Sequence, residues 1–236
     1  ASGGNMQKIS IILFFFIFLN SSSAQEKLVV GTYDSFSADW GPGPIIEEKF
    51  EEICNCDLQY ISTSQAGTLN NEIFLNGKDV ILGVEMHEFN YSIEDWHEYD
   101  HGFFSFIYDS SKLTNPPKTF EELVNREDLK IVVQDPRTSP VGIGLLRWMK
   151  SIFKDDFSIK LKKLDQNIIT YSPGWSEAYG IFLEGNADLV LSYSTSPFYH
   201  QEYENEYKYK SLNFTEGHLA TREIAVSYTH LTLPTT

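Results

Sequence analysis

Three regions of this sequence concentrate aromatic, hydroxyl and other polar side chains at points where a predicted strand is followed by a predicted helix. Ligands of open α/β sheets bind beyond the carboxyl ends of strands, and helix N-termini there present free N–H groups. Aromatic faces suit a flat, cationic ligand through stacking and cation–π attraction, worth ~0.5–2 kcal/mol each. Together the regions predict a cleft for such a ligand. They are Tyr33–Pro44, Gln134–Pro140, and Gly174–Tyr179 with the neighbouring Tyr193–Tyr199.

The elements that position these regions alternate between short apolar strands and helical patterns, which is typical of an α/β fold. Helices are predicted over Leu69–Leu75, Val141–Phe153 and Ser176–Glu184 and after Thr119. A further helix begins at Pro44, where Ile46, Phe50 and Ile53 recur at helical spacing and predict one apolar face. Strands are predicted at Leu28–Thr32, Asp57–Ser62, Val80–Val84, Phe103–Tyr108, Ile131–Val133, Ile168–Tyr171 and Leu189–Tyr193.

The composition predicts a globular, acidic protein. Hydrophobic residues make up 42% of the 236 residues, enough for a packed core. The formal net charge of −15 disfavours nucleic acid as a partner, because phosphate binding needs clustered Lys and Arg. An acidic surface is compatible with a cationic ligand and also favours solubility.

The N-terminal residues 1–24 predict a secretory signal peptide preceded by a few upstream residues. Met6 opens the segment after Ala1–Asn5, and the unbroken apolar run Ile11–Leu19 is too short to span a bilayer. Small residues at Ser22–Ala24 resemble a cleavage site. Cleavage there leaves Gln25, not a lipid-anchored cysteine, as the first mature residue, and predicts a periplasmic location.

Two cysteines, Cys54 and Cys56, are separated by one residue. In an oxidising compartment they favour a disulfide or inert thiols. A reactive nucleophile ranks second, and a metal site ranks third, since no His cluster accompanies them. No metal site is predicted.

Several long motifs, in order from about Lys27 to about Ala225, resemble the periplasmic thiamine-binding proteins of bacterial ABC importers. The resemblance implies an α/β, two-lobed periplasmic substrate-binding protein of type II, like the ferric-iron-binding proteins. It implies a monomer, not an enzyme, without a cofactor, that captures thiamine, thiamine phosphate or thiamine diphosphate for an inner-membrane ABC permease. The motifs are Tyr33–Phe36, Ala38–Pro44, Cys54–Cys56, Gln134–Ser139, Gly174–Tyr179 and Leu189–Pro197.

The same resemblance implies the ligand contacts. Trp175 and Tyr199 are expected to lie flat on the ligand rings, and Ser139, Tyr193 and Ser196 to bond the hydroxyethyl or phosphate end. The sequence departs from the family at Gln65-Ala66, where an acidic residue and Gly are usual, and at Pro140-Val141, where Thr-Pro is usual. The implied contacts are Tyr33, Trp40, Gln65 and Ala66 in lobe one, and Ser139, Pro140, Trp175, Tyr193, Ser194, Thr195, Ser196, Pro197 and Tyr199 in lobe two.

The resemblance also predicts how the chain divides between lobes. Residues 25–101 form the first part of lobe one, 102–216 form lobe two, and 217–226 return to lobe one. The crossings are expected near His101–Tyr108 and Gly217–Ala225. Residues 227–236 match nothing in the family, so we expect a non-native tail, and a lobe one that lacks its C-terminal portion.

Two alternative functions belong to the same fold. Thiamine-degrading transferases use a cysteine nucleophile, but no base is recognisable near Cys54 or Cys56. Ferric-iron binders commonly use adjacent tyrosines, which are absent from this sequence. His200, beside Tyr199, is the remaining candidate iron ligand, and a surface helix is its simpler interpretation.

Overall fold

The computed structural model describes residues 25–89 and 95–228. The predicted signal peptide and the predicted tail from residue 229 onward lie outside the described residues. Within the described ranges, no helix is long and apolar enough to cross a membrane.

Lobe one is built on three parallel strands. The central strand, β1, pairs with β2 along its whole length and with β3 at Val30 and Gly31. These strands lie where the apolar runs, and for β2 the alternating pattern, predicted them. The elements are β1 (Lys27–Tyr33), α1 (Asp34–Ser37), α2 (Gly43–Cys54), β2 (Asp57–Thr63), α3 (Glu72–Leu75) and β3 (Val80–Glu85).

Lobe two repeats this arrangement around β5, which pairs in parallel with β6 on one side and β7 on the other. Its helices pack against an aromatic core that includes Trp148, Phe106 and Phe120. The elements are α4 (Phe120–Asn125), β5 (Ile131–Gln134), α5 (Pro140–Phe153), α6 (Phe157–Asp165), β6 (Ile168–Ser172), α7 (Trp175–Leu183), β7 (Leu189–Tyr193), α8 (Ser196–Tyr203) and β8 (Tyr209–Ser211).

Two long strands connect the lobes. Strand β4 (Trp96–Asp109) pairs with β9 (Ala220–Ser227) along its first half and with β7 and β8 along its second half. Strand β9 also pairs with β3, antiparallel. The strand order is therefore β2-β1-β3-β9-β4-β7-β5-β6, with β8 beside β4. Strands β4 and β9 pass from one lobe to the other without a break in the sheet, so no residue marks where one lobe ends. The predicted residue boundaries of the lobes therefore stay predictions.

The end of β9 overlaps the segment expected to be a non-native tail. Ser227 pairs with Val80, and the N–H of Tyr228 donates to the carbonyl of Asp79 at 2.8 Å. Ser227 is thus part of the lobe-one sheet, and Tyr228 is hydrogen-bonded at its edge.

Helix α2 forms where Pro44 predicted it, but its apolar face is exposed. Ile46 and Phe50 are each 40% exposed and Ile53 is 84% exposed. The spacing of the apolar residues predicts a helix with one apolar face, but it does not predict which element packs on that face. No element of the described chain buries these three side chains.

We expect Ile53→Glu to reduce aggregation of the protein at high concentration without lowering its stability. An exposed side chain contributes within about 0.5 kcal/mol of stability, whereas an exposed apolar patch promotes association. Sedimentation velocity and thermal melting measure both properties. Ile81→Glu is the matched control, since Ile81 is fully buried and its replacement should unfold lobe one. Unchanged aggregation in Ile53→Glu contradicts the role of this face.

The two cysteines form the Cys54–Cys56 disulfide at the end of α2. The first interpretation of the pair is thereby confirmed. No free cysteine is present in the described part of the chain. Neither sulfur is therefore a free thiolate in this structure.

Candidate functional site

A cavity of roughly 320 Å³ lies between the lobes. Its volume falls within the range of small-molecule sites. Four strand-to-helix turns contribute to it: β1 to α1, β5 to α5, β6 to α7, and β7 to α8. The structure thus brings together the three regions singled out from the sequence. The predicted site residues that line the cavity are Tyr33, Trp40, Ala66, Ser139, Pro140, Trp175, Tyr193 and Thr195.

One wall of the cavity is aromatic. The indole N–H of Trp175 donates to Ser192 Oγ at 2.7 Å, and its ring stacks on Tyr179 with centroids 4.8 Å apart. Trp40 reaches over from lobe one, 6.3 Å from the Trp175 ring and 5.8 Å from that of Tyr199. Trp175 is therefore held in place from behind, while Trp40, 51% exposed, closes over it.

Five predicted contacts lie outside the cavity wall. Ser196 bonds to Ser192 Oγ at 2.7 Å, so it supports Trp175 through that hydroxyl. Tyr199 contacts the edge of Trp40. The roles of all five in ligand binding stay predictions. They are Gln65, Ser194, Ser196, Pro197 and Tyr199.

The lobes touch each other around the cavity. Ser176 Oγ donates to Asp34 Oδ1 at 3.1 Å, and the N–H of Gly67 donates to the carbonyl of Thr138 at 3.0 Å. Gly174 lies so close to lobe one that a Cβ there would be 2.0 Å from the carbonyl oxygen of Ser64. The cleft is thus closed along this edge.

Tyr33 is positioned by a glycine of the neighbouring strand. A Cβ on Gly83 would lie 2.2 Å from Tyr33 Cε1, and Gly83 has φ +89°, a conformation that favours glycine. The Tyr33 ring can therefore lie flat on β3. From there its hydroxyl donates to Glu223 Oε2 at 2.9 Å.

The acidic wall of this cavity was not predicted from the sequence. Asp100 on β4 and Glu223 on β9 both line it, together with Asp34. Burial raises the pKa of the Glu223 carboxyl and the nearby Asp100 raises it further, while hydrogen bonds from Tyr99 and Tyr33 lower it. The alternation of residues along β9 could have indicated that Glu223 faces away from the core. Ile224 and Val226 face the core, whereas Thr221 and Glu223 face the cavity.

A second carboxyl lies behind this wall. Glu85 is 2% exposed and accepts a hydrogen bond from Thr221, which lines the cavity. Burial raises the pKa of Glu85 to about 8, whereas burial lowers the pKa of the neighbouring His87 to about 4. Near neutral pH the two side chains therefore contact each other as uncharged groups.

His200 was expected on a helix surface, and that expectation is wrong. The side chain is buried, because the ring stacks on Tyr179 and lies 4.4 Å from the Tyr209 ring. Its Nε2 bonds to the Tyr179 hydroxyl at 3.0 Å and its Nδ1 to Glu204 at 2.6 Å. His200 thus supports the aromatic wall through Tyr179.

Across residues 25–89 and 95–228, no three His, Cys, Asp or Glu side chains are grouped to hold a metal ion.

Comparison with solved structures supports the fold. A periplasmic thiamin binding protein superposes with a TM-score of 0.82 at 37% identity, covering 89% of this chain and 75% of its own. The periplasmic binding protein AfuA from Actinobacillus pleuropneumoniae superposes with a TM-score of 0.69 at 14% identity, covering 86% of this chain and 73% of its own. The two-lobed substrate-binding fold is thereby confirmed.

Comparison with curated sequences identifies the relatives. The thiamine-binding periplasmic protein of Brucella melitensis is 38% identical, over 89% of this chain and 71% of its own length. That of Escherichia coli K12 is 40% identical, over 86% of this chain and 70% of its own length. No protein-family model matches the sequence. At this identity and coverage, the chain belongs to the family of thiamine-binding periplasmic proteins.

Proposed function

We propose that this chain captures thiamine in the periplasm and delivers it to an ABC permease of the inner membrane. The observation that carries the proposal is the cavity between the lobes, which combines an aromatic wall with three carboxylates. Each of the two rings of thiamine is flat and one of them is positively charged, so the rings can stack on indole and phenol faces while the charge lies near the acids. The names of the relatives support the same ligand.

The finer parts of the proposal concern ligand form and assembly. We include thiamine phosphate and thiamine diphosphate as ligands, because Ser139 and Thr195 place hydroxyl groups and helix N-termini at the cavity. The protein acts as a monomer and needs no cofactor for capture.

Transport without catalysis fits the chemistry of the chain. Thiamine cleavage by a transferase of this fold needs a thiolate, and Cys54 and Cys56 are joined at the end of α2. Neither residue lines the cavity. Incubation with thiamine and a nucleophilic amine is therefore expected to leave the vitamin intact, as chromatography would show.

The test of the proposed function is calorimetric titration of the protein with thiamine. We expect binding of the wild-type chain, and we expect Trp175→Ala to weaken it by about 1–3 kcal/mol as stacking and cation–π contact are lost. Tryptophan fluorescence should be quenched by the ligand in the wild type.

Phe198→Ala is the matched control for this titration. Phe198 is an aromatic residue of α8 that is 64% exposed and does not line the cavity, so its removal should leave the dissociation constant unchanged. Unchanged affinity in a folded Trp175→Ala variant would remove Trp175 from the site. Failure of the wild type to bind any form of thiamine would refute the proposed function.

A further inference from the structure

Two carboxylates face each other on the strands that connect the lobes. Asp100 on β4 and Glu223 on β9 are register partners in the antiparallel pairing, and both line the cavity. Like charges directly opposite each other on neighbouring strands destabilise a sheet. The fold therefore carries an unfavourable acidic pair at the wall of its ligand cavity.

The carboxylate of Glu223 is oriented by two phenols. The Tyr33 hydroxyl donates to Oε2 at 2.9 Å, and the Tyr99 hydroxyl donates to the same oxygen at 2.8 Å. Burial raises the pKa of this carboxyl, and the two O–H donors on one oxygen act against that effect by favouring the ionised form. Among the described residues, no donor is bonded to the other oxygen, Oε1, which leaves it available to a ligand.

Little positive charge in the protein offsets this pair. Among the cavity-lining residues that the structure describes, none is Lys or Arg, and His101 is the one basic side chain. Arg222, next to Glu223 in sequence, is directed to Glu98 instead, with 3.6 Å between the two charged groups. The cavity is thus built for a ligand that brings positive charge of its own.

We propose that Glu223, with Asp100 beside it, recognises the positive charge of the ligand and so determines specificity for a thiazolium over a neutral ring of the same shape. This inference rests on the proposed function, since it names the charge contact within the same cavity. The bound cation lies between the two carboxylates and relieves their mutual repulsion. The aromatic wall contributes shape and stacking, which a neutral isostere also satisfies.

The experiment compares thiamine with 3-deazathiamine, a neutral isostere in which carbon replaces the charged ring nitrogen. Calorimetry on the wild-type chain should show thiamine binding tighter by about tenfold to hundredfold, the effect of one charge-assisted contact. Glu223→Gln keeps the side-chain shape and the acceptor for both tyrosines. It should reduce the preference to roughly threefold, the remainder coming from cation–π contact, and leave affinity for the neutral isostere nearly unchanged.

Two further variants make the result specific. Asp100→Asn should also reduce the preference, and it carries the test if Glu223→Gln fails to fold. Glu127→Gln, a matched control at an exposed carboxylate of lobe two that lies outside the cavity wall, should keep the full preference.

Three results would overturn the inference. Equal binding of thiamine and its neutral isostere by the wild type removes the charge contact. An equal loss for both ligands in Glu223→Gln makes Glu223 a positioning residue only. Failure of the wild type to bind either ligand refutes the proposed function together with this inference, whereas tight binding without charge preference refutes the inference alone.

Discussion

Replacing Trp148 with alanine should lower the free energy of unfolding by about 3–5 kcal/mol, the range for deleting a large buried aromatic side chain. Trp148 is 1% exposed. Its ring lies 4.7 Å from that of Phe120, 5.5 Å from that of Phe214 and 6.1 Å from that of Phe106, measured between centroids. Alanine leaves a void that these three rings, from three different segments of the chain, cannot close.

Replacing Trp148 with alanine also removes a hydrogen bond to the segment that leads back to lobe one. The indole N–H of Trp148 donates to the carbonyl of Gly217 at 3.1 Å, a few residues before β9 begins. Urea unfolding followed by circular dichroism measures the change in the free energy of unfolding. Trp148→Phe keeps most of the packing and should cost less than the alanine variant. Trp175→Ala, at the rim of the cavity, should cost less still. If Trp148→Ala unfolds at the wild-type urea concentration, this cluster does not determine the stability of lobe two.

The turns that form the site could be predicted from the sequence because their signals are local. An apolar run, a turn and a helix start follow one another within a few residues at Tyr33, at Ser139 and at Trp175. Parallel strands then bring these turns to the same edge of the sheet. The resemblance to a known family added the expected ligand and the order of the lobes.

The acidic wall could not be predicted in the same way, because it depends on pairing between residues far apart in sequence. Asp100 and Glu223 meet only through the register of β4 against β9, and an irregularity near Glu98 shifts that register. A shift of one residue would turn each side chain to the opposite face. His200 was misplaced for a related reason, since Tyr179 and Tyr209, which bury it, come from other elements.

The second large effect concerns Glu85 and pH. The pKa of Glu85 is raised by burial from its ordinary value of 4.5 to about 8, so the folded protein holds a proton that the unfolded chain has released. A raised folded-state pKa gives stability that is complete below about pH 4.5 and is lost as the pH rises through 8. His87 acts in the opposite sense below pH 6.5, because burial lowers its pKa to about 4 and its neutral form stabilises the fold.

Between pH 6.5 and 8.5 the effect of Glu85 on stability can therefore be measured without a contribution from His87. Across it the wild-type protein should lose roughly 2 kcal/mol through Glu85, at 1.36 kcal/mol for each pKa unit. Glu85→Gln keeps the size of the side chain and an acceptor for Thr221 but cannot ionise, so it should not show this loss. Thermal melts at several pH values measure the difference between variant and wild type, which cancels titration elsewhere in the chain.

Glu98→Gln provides the matched control, since Glu98 is a surface carboxylate paired with Arg222 and its replacement should leave the pH profile of stability unchanged. Equal pH dependence in Glu85→Gln and the wild type would show that Glu85 is already ionised in the folded protein at pH 6.5. A loss of stability between pH 6.5 and 8.5 that the wild type shows and Glu85→Gln lacks would instead agree with a proton held on Glu85 in the folded protein.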